Sequence, residues 1–526
     1  MQPTGRSPVA SSPMADEGST APSGGTRASW DEVAPDNSLL ERNRRLRNIQ
    51  SPVMFLIAAA AVATMTLVAG VGVSVYGVIA VVYLGVKLGM SMRYRPSTGD
   101  PRGVGTVGAV VPFYNEDPAA LKACLESILA QSRPVDRLYV VDDGSDSATG
   151  QRIARQVISA SGHPGAVVHA LPKNVGKRHA QAWAMRRMDC DIVMTVDSDT
   201  VLHPHAVQEG LRGFVDPEVK GVTGNVQAHN AGTNLLTRLT SLRYANAFLW
   251  ERAAYSSVGS VLCACGSLSF WRRDLVERNL EGYVNQTFLG IPVSYGDDRR
   301  LTNYALSEGK VLFQETAIAW TTVPDRFRHF ARQQLRWNKS FFRETLWALG
   351  AFRPWNRVWL LSFAELGLWL AFTVSLLALL VVFPLLTGGL PSIWYAGFVA
   401  AMALARSVRY LGSQRTSMLS QVGVFLLAPL YGFLYLAVLM PIRFWALFSL
   451  RNPGWGTRKV VEVQFQDDKA ERSPLSALSD LDGFTEAPAR PVEPAPVDED
   501  ADLDAELAEL TASTTTESAT AEEEDR

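Results

Sequence analysis

Two aspartates that follow a short apolar segment are the first residues of this chain to indicate chemistry. Ile192 to Val196 has the length and composition of a buried strand, and Asp197-Ser198-Asp199 follows it directly. Carboxylates at the end of a buried strand are costly unless a cation neutralises them. A divalent ion such as Mg²⁺ or Mn²⁺, carrying substrate phosphates, suits these oxygen ligands. A polar turn in which one Asp caps the next helix explains the same residues, so the motif needs support from others.

Polar side chains also follow two earlier apolar segments. The segment from Thr106 to Phe113 leads to Asn115 and Glu116, and the next one leads directly to Asp142 and Asp143. In open α/β sheets, ligands bind at the carboxyl ends of the strands. Because three separate strands bring acids and amides to that edge, together they indicate a site more strongly than any one motif does.

Apolar strand-like segments alternate with helical periodicity through this part of the chain, which predicts a mainly parallel sheet with helices on both faces. The predicted strands are Thr106–Phe113, Arg137–Val141, Ala166–Leu171 and Asp191–Val196, and the predicted helices are Asp117–Gln131, Ala148–Ala160 and Gly176–Met188.

A transferase that takes a sugar from a nucleoside diphosphate needs groups of these types. Asp142 or Asp143 can accept a hydrogen bond from the uracil imide, and Lys173 and Lys177 can reach phosphates. A solvated helix start explains the lysines equally well. A metal held by Asp197 and Asp199 would act as a Lewis acid on the leaving oxygen.

Two adjacent carboxylates, Asp297 and Asp298, follow Gly296 and predict a general base. Repulsion within such a pair raises the pKa of one member, which suits proton abstraction, and we assign the base to Asp298. The alternative is an Asp that forms an ordinary ion pair with Arg299 or Arg300.

A third motif, Gln333-Gln334-Leu335-Arg336-Trp337, predicts a binding platform for an acceptor sugar. A helix would place Gln333, Arg336 and Trp337 on one face. The arginine could contact a diphosphate with two hydrogen bonds, and the indole could stack on a sugar ring. A core tryptophan on an amphipathic helix is the alternative.

Apolar residues make up 47% of the chain, and long uncharged segments on either side of the polar centre predict membrane spans. Residues 53–86 contain no charge and fit two short spans, or one long tilted helix. Zones at about 358–386, 392–411 and 418–450 bring the prediction to about six crossings. Basic residues flank the spans, which predicts that the catalytic domain and both termini lie in the cytoplasm.

The predicted organisation follows from these patterns. It comprises a disordered tail at 1–48, two transmembrane helices at 49–92, a cytoplasmic domain at 100–340, an interfacial amphipathic helix at 341–357, about four spans at 358–450 and a disordered acidic tail at 467–526. The cysteines match no zinc pattern and are interpreted as reduced thiols, and no basic patch indicates a nucleic-acid partner.

Taken together, the motifs resemble those of the processive inverting family 2 glycosyltransferases, which have a GT-A fold and include cellulose, chitin and hyaluronan synthases. The detailed resemblance is to the streptococcal type of hyaluronan synthase and covers roughly residues 50 to 460. It rests on Val110–Glu116, Asp142–Ser145, Lys177–Gln181, Asp197–Asp199, Asn285–Tyr304 and Gln333–Glu344.

The resemblance implies an enzyme of the plasma membrane that uses UDP-GlcNAc and UDP-glucuronate with Mg²⁺ or Mn²⁺ and exports a growing polysaccharide across the lipid bilayer. Asp199 would ligate the metal together with Asp197, and Asp298, beside Asp297, would be the base. Residues implied to bind the nucleotide sugar are Pro112, Tyr114, Asn115, Glu116, Asp142, Asp143, Lys173, Lys177, Arg178, Asp197 and Arg336. Residues implied to form the acceptor gate are Cys263, Cys265, Gln333, Arg336 and Trp337.

The acceptor loop departs from the family pattern, which usually has Ser-Gly-Pro where this chain has Cys263-Ala-Cys-Gly-Ser267. Chitin-oligosaccharide synthases carry cysteines at similar places. A chitin-type N-acetylglucosaminyltransferase is therefore one alternative, and a non-processive membrane glycosyltransferase is another.

Overall fold

The computed structural model describes residues 37–69, 71–293, 295–378, 382–388, 393–413 and 417–451. The acidic tail predicted at 467–526 lies outside the described residues, as does the first part of the predicted N-terminal tail.

A mixed eight-stranded sheet forms the centre of the soluble domain, in the order β3-β2-β1-β4-β7-β6-β10-β5. The strands are β1 Val107–Phe113, β2 Arg137–Asp142, β3 Ala166–Ala170, β4 Ile192–Thr195, β5 Thr200–Leu202, β6 Val219–Ala228, β7 Ser269–Arg272 and β10 Lys310–Thr321. A separate hairpin pairs β8 Thr287–Phe288 with β9 Ile291–Pro292.

The four predicted strands form the parallel half of the sheet, as expected. β1 is buried along its whole length, which fits a central parallel strand that is covered on both faces. The other half departs from the mainly parallel prediction, because β7 runs antiparallel to both β4 and β6, and β5 runs antiparallel to β10. The α/β class is confirmed.

Helices pack against the sheet through apolar faces. In α3, for example, Asp117 caps the helix start by accepting from the N–H groups of Ala119 and Ala120, and Leu121 and Leu125 are fully buried. The helices of the soluble domain are α3 Pro118–Leu129, α4 Thr149–Ser161, α5 Lys177–Arg187, α6 Ala206–Leu211, α7 Leu235–Asn246, α8 Ala253–Ser256, α9 Arg273–Val284, α10 Asp297–Glu308 and α11 Phe327–Ala351.

The remaining helices are mostly apolar and flank the soluble domain in the sequence. They are α1 Asn37–Ala69, α2 Val71–Arg93, α12 Arg357–Leu377, α13 Phe383–Thr387, α14 Ile393–Ser407, α15 Met418–Leu426, α16 Ala428–Leu434 and α17 Met440–Phe448. Within the described chain, three helical segments have the length and apolar composition to cross a membrane: Leu40–Leu67, Arg357–Ser375 and Met418–Phe448. The six predicted crossings remain a prediction.

Two predicted boundaries differ from the structure. Helix α1 begins at Asn37, inside the predicted tail, because its basic end packs against the soluble domain: Arg47 is buried and donates to Glu315 at 2.9 Å. Helix α11 continues through residue 340, so the predicted gate and the first part of the predicted interfacial helix belong to one helix.

Candidate active site

One cavity of about 990 Å³ extends from the carboxyl edge of the parallel strands to the membrane helices. The structure brings most of the predicted site residues to its wall, although they come from distant parts of the chain. Those that line it are Pro112, Tyr114, Glu116, Asp143, Lys177, Asp197, Asp199, Cys263, Cys265, Asp297, Asp298, Gln333, Arg336 and Trp337.

The end of β2 and the turn that follows it carry two aspartates, of which one lies on the cavity wall. Asp143 accepts from the backbone N–H groups of Val175 and Gly176 at 3.0 and 2.9 Å. Burial raises the pKa of Asp143 to about 7, even though these donors favour the charged form. Gly144 has φ +66°, and a Cβ there would lie 2.3 Å from the backbone of Lys173, so the turn requires glycine.

Lys177 stands at the start of α5 and connects two of the acidic motifs. Its Nζ lies 2.6 Å from Asp197 Oδ1 and 3.0 Å from Asp297 Oδ2. The alternative of a solvated lysine is therefore wrong for Lys177, whose side chain is only 24% exposed. The ammonium joins the end of β4 to the start of α10 and supplies the positive charge that neighbouring carboxylates need.

The two aspartates at the start of α10 differ in charge environment. Burial alone would raise the pKa of Asp297, but the adjacent Lys177 ammonium holds it below its ordinary value. Burial and the Asp297 carboxylate raise the pKa of Asp298 to about 6. Asp298 forms no ion pair with Arg299 or Arg300 in the described chain; the Arg299 backbone N–H donates to it at 2.8 Å. A carboxylate with these properties suits proton abstraction near neutral pH.

Helix α11 contains three of the predicted gate residues and packs against α10, which carries Asp298. A Cβ at Gly296 would lie 2.4 Å from the Oγ of Ser340, so the glycine before Asp297 lets the two helices approach closely. Trp337 is 39% exposed and lines the cavity, which excludes the alternative of a core tryptophan. The Arg243 guanidinium lies 5.5 Å from the centre of its ring.

The donor set around Asp197 and Asp199 fits a divalent cation that also binds substrate phosphates. Both carboxylates line the cavity, and Thr321 donates its hydroxyl to Asp199 at 3.2 Å. In the described chain, no cluster of three or more His, Cys, Asp or Glu side chains could hold a metal without a substrate. Mg²⁺ and Mn²⁺ are commonly bound by one or two carboxylates plus phosphates, so this smaller set is sufficient.

Four predicted nucleotide-sugar residues do not line this cavity: Asn115, Asp142, Lys173 and Arg178. Asp142 instead accepts from the hydroxyl and N–H of Ser145, and Lys173 is exposed. Arg178 is buried and donates to Gln286 Oε1 at 2.6 Å and to the carbonyl of Tyr295 at 3.1 Å. In this structure Arg178 therefore supports the loop that precedes the base.

Sequence reasoning missed the charged residues at the membrane end of the cavity. Glu365 in α12 receives hydrogen bonds from Lys87 at 2.5 Å and from the hydroxyls of Tyr83 and Tyr255. The sequence did contain an indication of Glu365, which is a single acid within the apolar segment that starts after Arg357. A charged side chain in a membrane segment costs free energy, so such residues are commonly functional.

Comparison with known proteins agrees with this geometry. Residues 102–340 match the family model described as "Glycosyltransferase like family 2". The chain is 41% identical over 423 residues to the hyaluronan synthase of Streptococcus pyogenes serotype M6, an alignment covering 78% of this chain and 96% of that protein. The chain belongs to the hyaluronan synthase family of family 2 glycosyltransferases. Membership of this family confirms the predicted UDP-sugar glycosyltransferase activity.

Two further proteins mark the range of the similarity. An N-acetylglucosaminyltransferase of Rhizobium sp. strain N33 is 35% identical over 419 residues, covering 77% of this chain and 90% of that protein. A mannosyltransferase of Pyrobaculum calidifontis, solved with GDP-Man and Mn²⁺, superimposes with a TM-score of 0.50 at 20% identity, covering 73% of this chain and 99% of that one. The latter similarity concerns the fold and confirms the GT-A type predicted for the soluble domain.

Proposed function

We propose that this enzyme transfers N-acetylglucosamine and glucuronate alternately from their UDP donors to a growing hyaluronan chain and exports the product through its own membrane helices. The observation that carries the proposal is the single cavity that holds Asp298, Lys177 and Trp337 and continues among α2, α12, α14 and α16. Such a cavity provides both a place for the transfer and a path for its product.

In the proposed reaction, Asp298 accepts the proton of the acceptor hydroxyl. The oxygen forms a bond to C1 of the donor sugar, and the bond between C1 and the diphosphate oxygen breaks. UDP leaves from the opposite face, so the configuration at C1 inverts. An aspartate with a pKa of about 6 is largely ionised at neutral pH and is more basic than an ordinary carboxylate.

The other residues would bind and orient the substrates. Lys177 and Arg336 would neutralise the diphosphate, and Asp143 would accept a hydrogen bond from the uracil ring. Asp199 and Asp197 would hold Mg²⁺ or Mn²⁺, which supplies Lewis-acid stabilisation of the leaving group. The exposed face of the Trp337 indole would support the acceptor sugar.

We infer that the enzyme lies in the plasma membrane, with its catalytic domain and both termini on the cytoplasmic side. Basic residues beside the apolar segments support this orientation, as does the cytoplasmic supply of UDP-sugars. Cysteine accessibility to an impermeant reagent in whole cells tests the orientation: a cysteine introduced at Lys122 should be labelled only after the cells are opened.

A chitin-type N-acetylglucosaminyltransferase is the second candidate. It is favoured by the similarity to the Rhizobium protein and by Cys263 and Cys265 on the cavity wall, where Cys263 Sγ lies 3.7 Å from Asp298 Oδ2. These thiols lie beside the base, where the acceptor sugar must approach.

The polymerisation assay with separate donors distinguishes the two candidates. Membranes that contain the enzyme receive UDP-GlcNAc, UDP-glucuronate or both, together with Mg²⁺ or Mn²⁺. We expect a hyaluronidase-sensitive polymer of high mass only with both donors. A polymer from UDP-GlcNAc alone indicates the chitin-type enzyme, and short products that remain in the membrane indicate a non-processive transferase. Membranes with Asp298→Asn provide the background.

A further inference from the structure

The part of the cavity that lies among the membrane helices, here called the exit side, has an uneven charge balance. It is lined by four basic and two acidic residues: Lys87, Arg243, Arg406 and Arg443, with Glu251 and Glu365. Arg252 also lines the cavity, but its Nε donates to the carbonyl of Cys263 at 3.1 Å, so it belongs to the reaction end.

Both acids of the exit side already have a cation. Glu365 binds Lys87 at 2.5 Å, and Glu251 binds Arg406 at 2.9 Å. These two ion pairs neutralise one basic residue each. Two further positive charges, those of Arg243 and Arg443, form no ion pair with any residue that the structure describes.

The contacts of Arg243 and Arg443 are with neutral groups. Arg243 donates to the side-chain oxygen of Gln334, and Arg443 donates to the hydroxyl of Tyr435 at 3.3 Å. Within the described residues, neither guanidinium has a carboxylate within the 4.0 Å of an ion pair. A half-buried cation that forms no ion pair is destabilising, so a ligand that supplies the anion would stabilise both residues.

The two guanidiniums approach the same stretch of helix. Tyr431 and Tyr435 are four residues apart along α16 and the π-helix Tyr435–Leu439 that continues it, so their side chains lie on one face. Arg443 donates to the Tyr435 hydroxyl, and Arg243 lies near enough to Tyr431 to interact with its hydroxyl. The two arginines thus approach tyrosines that are about one helical turn apart.

Several polar atoms of the residues that line the exit side have no hydrogen-bond partner in the part of the chain that the structure describes. Among the described residues that line the exit side, four buried atoms have no hydrogen-bond partner: Asn246 Oδ1, Trp250 Nε1, Trp369 Nε1 and Arg443 Nε. Buried polar atoms are normally paired, and each unpaired one costs free energy. The indole of Trp369 also lies 5.0 Å from the Arg443 guanidinium. Donors, an acceptor and an aromatic face together suit a sugar with several hydroxyls.

We propose that Arg243 and Arg443 bind the carboxylate of a glucuronate unit in the nascent polymer as it enters the membrane. This inference rests on the proposed function, because it requires a product that contains a uronic acid. Arginine presents a planar fork of donors that matches a carboxylate, and the Trp369 indole beside Arg443 takes the sugar ring or one of its hydroxyls. A lipid phosphate would satisfy the charge but would leave the indole N–H of Trp369 unpaired.

The first test is the length of the polymer made by the full-length enzyme in membranes. Mean length is the ratio of the elongation rate to the rate of chain release, and loss of a charge-assisted hydrogen bond should speed release about ten-fold. We therefore expect Arg443→Gln to shorten the polymer about ten-fold and Arg243→Gln to act in the same direction. Arg443→Lys, which keeps the charge and loses the fork, should give an intermediate length.

The second test separates recognition of the carboxylate from a general structural role. Enzyme in nanodiscs is titrated with a fluorescent hyaluronan decasaccharide and with its methyl ester. Wild type should prefer the acid about ten-fold, and Arg443→Gln should bind acid and ester equally. Displacement of the decasaccharide by anionic lipid, with no preference for the acid over the ester, would assign the arginines to a lipid phosphate and overturn the proposal.

The matched control is the double variant Glu251→Gln/Arg406→Gln, which removes an arginine from the same wall at constant net charge. It should keep the preference for the acid. UDP binding verifies that each variant is folded. A wild type that makes no uronate polymer refutes the proposed function itself. Normal polymer with unchanged length and acid preference in Arg443→Gln and Arg243→Gln refutes only the present inference.

Discussion

Each end of the cavity contains a lysine that forms an ion pair with a carboxylate, but the two lysines have different tasks. At the reaction end, Lys177 is shared between Asp197 and Asp297, and neighbouring Asp298 forms no ion pair in the part of the chain that the structure describes. At the membrane end, Lys87 and two tyrosine hydroxyls converge on one acid, Glu365.

The comparison shows that the ratio of acids to cations in a cluster of charged side chains decides whether the cluster stabilises the fold or can exchange a proton. The membrane cluster is satisfied, because one acid has one cation and further donors, so it stabilises the packing of α2 against α12. The reaction cluster has more acids than cations, so one carboxylate keeps a raised pKa and can exchange a proton at neutral pH. Arg243 and Arg443 on the exit side have the opposite imbalance, which is why we propose that they bind an anionic sugar unit.

The largest effect is expected at the acid that lacks a cation. Asp298→Asn removes the proton acceptor and should lower kcat by on the order of 10³- to 10⁴-fold, while the Kd for UDP stays within about two-fold. Rates of UDP release and calorimetric titration measure the two quantities. The control Asp274→Asn removes an acid from an exposed ion pair and should leave kcat unchanged. Normal turnover in Asp298→Asn would refute the base assignment.

The next largest effect concerns the ion pair between Lys87 and Glu365 and should appear as a loss of protein stability. Lys87→Met leaves the half-buried Glu365 without its ion-pair partner and should lower the free energy of unfolding by about 1.5–3 kcal/mol. Lys87→Met/Glu365→Leu removes both charges and should recover most of that loss. The thermal unfolding midpoint in one detergent compares the variants. Equal losses in the single and double variants would show that the pair is not acting as a unit.

Removal of the shared lysine should change both rate and pH dependence. Lys177→Met removes a charge-assisted contact, which should lower kcat by about 10- to 100-fold. The pKa of Asp297 and that of Asp298 should both rise, since Lys177 lowers both in the native protein, so the acid limb of the kcat profile should move to higher pH. Lys173→Met, at an exposed lysine outside the cavity, is the control; a large rise in KM there would support its predicted phosphate contact instead.

The smallest effect is a shift of the same pH profile in the opposite direction. Wild-type kcat should fall about ten-fold per pH unit below about pH 6, where Asp298 gains a proton. Asp297→Asn removes the like charge that raises the pKa of Asp298, so the acid limb should move to lower pH. Initial rates measured in buffers of overlapping pH range give the acid limb of the kcat profile for wild type and for Asp297→Asn. Identical profiles for the two enzymes would mean that a group other than Asp298 controls the acid limb.

Local pattern predicted the parallel half of the fold well. The predicted and observed bounds of β1, β2, β3 and β4 differ by at most one residue at either end. Short apolar runs bounded by polar turns carry this information in the segment itself. The antiparallel strands β5 and β7 were not predicted, because their pairing partners lie far away in the chain.

The candidate site was predicted in composition but not in all its contacts. Asp142 and Asp143 were equivalent on sequence grounds, yet only Asp143 reaches the cavity, because adjacent residues at a strand end point in different directions. Lys173 and Lys177 were also equivalent, and only the second meets carboxylates. In both cases the position of the side chain in the folded protein, which the sequence does not give, distinguishes the two residues.

The residue types, the strand ends that carry them and the apolar segments could be read from the sequence alone, because each depends on neighbours along the chain. Which charges meet could be seen only in the folded chain: Lys177 pairs with Asp197 and Asp297, Lys87 pairs with Glu365, and Arg443 forms no ion pair within the described residues. The physical reason is that the pKa of a buried group and the stability of a buried charge depend on atoms within a few ångströms, whichever segment supplies them.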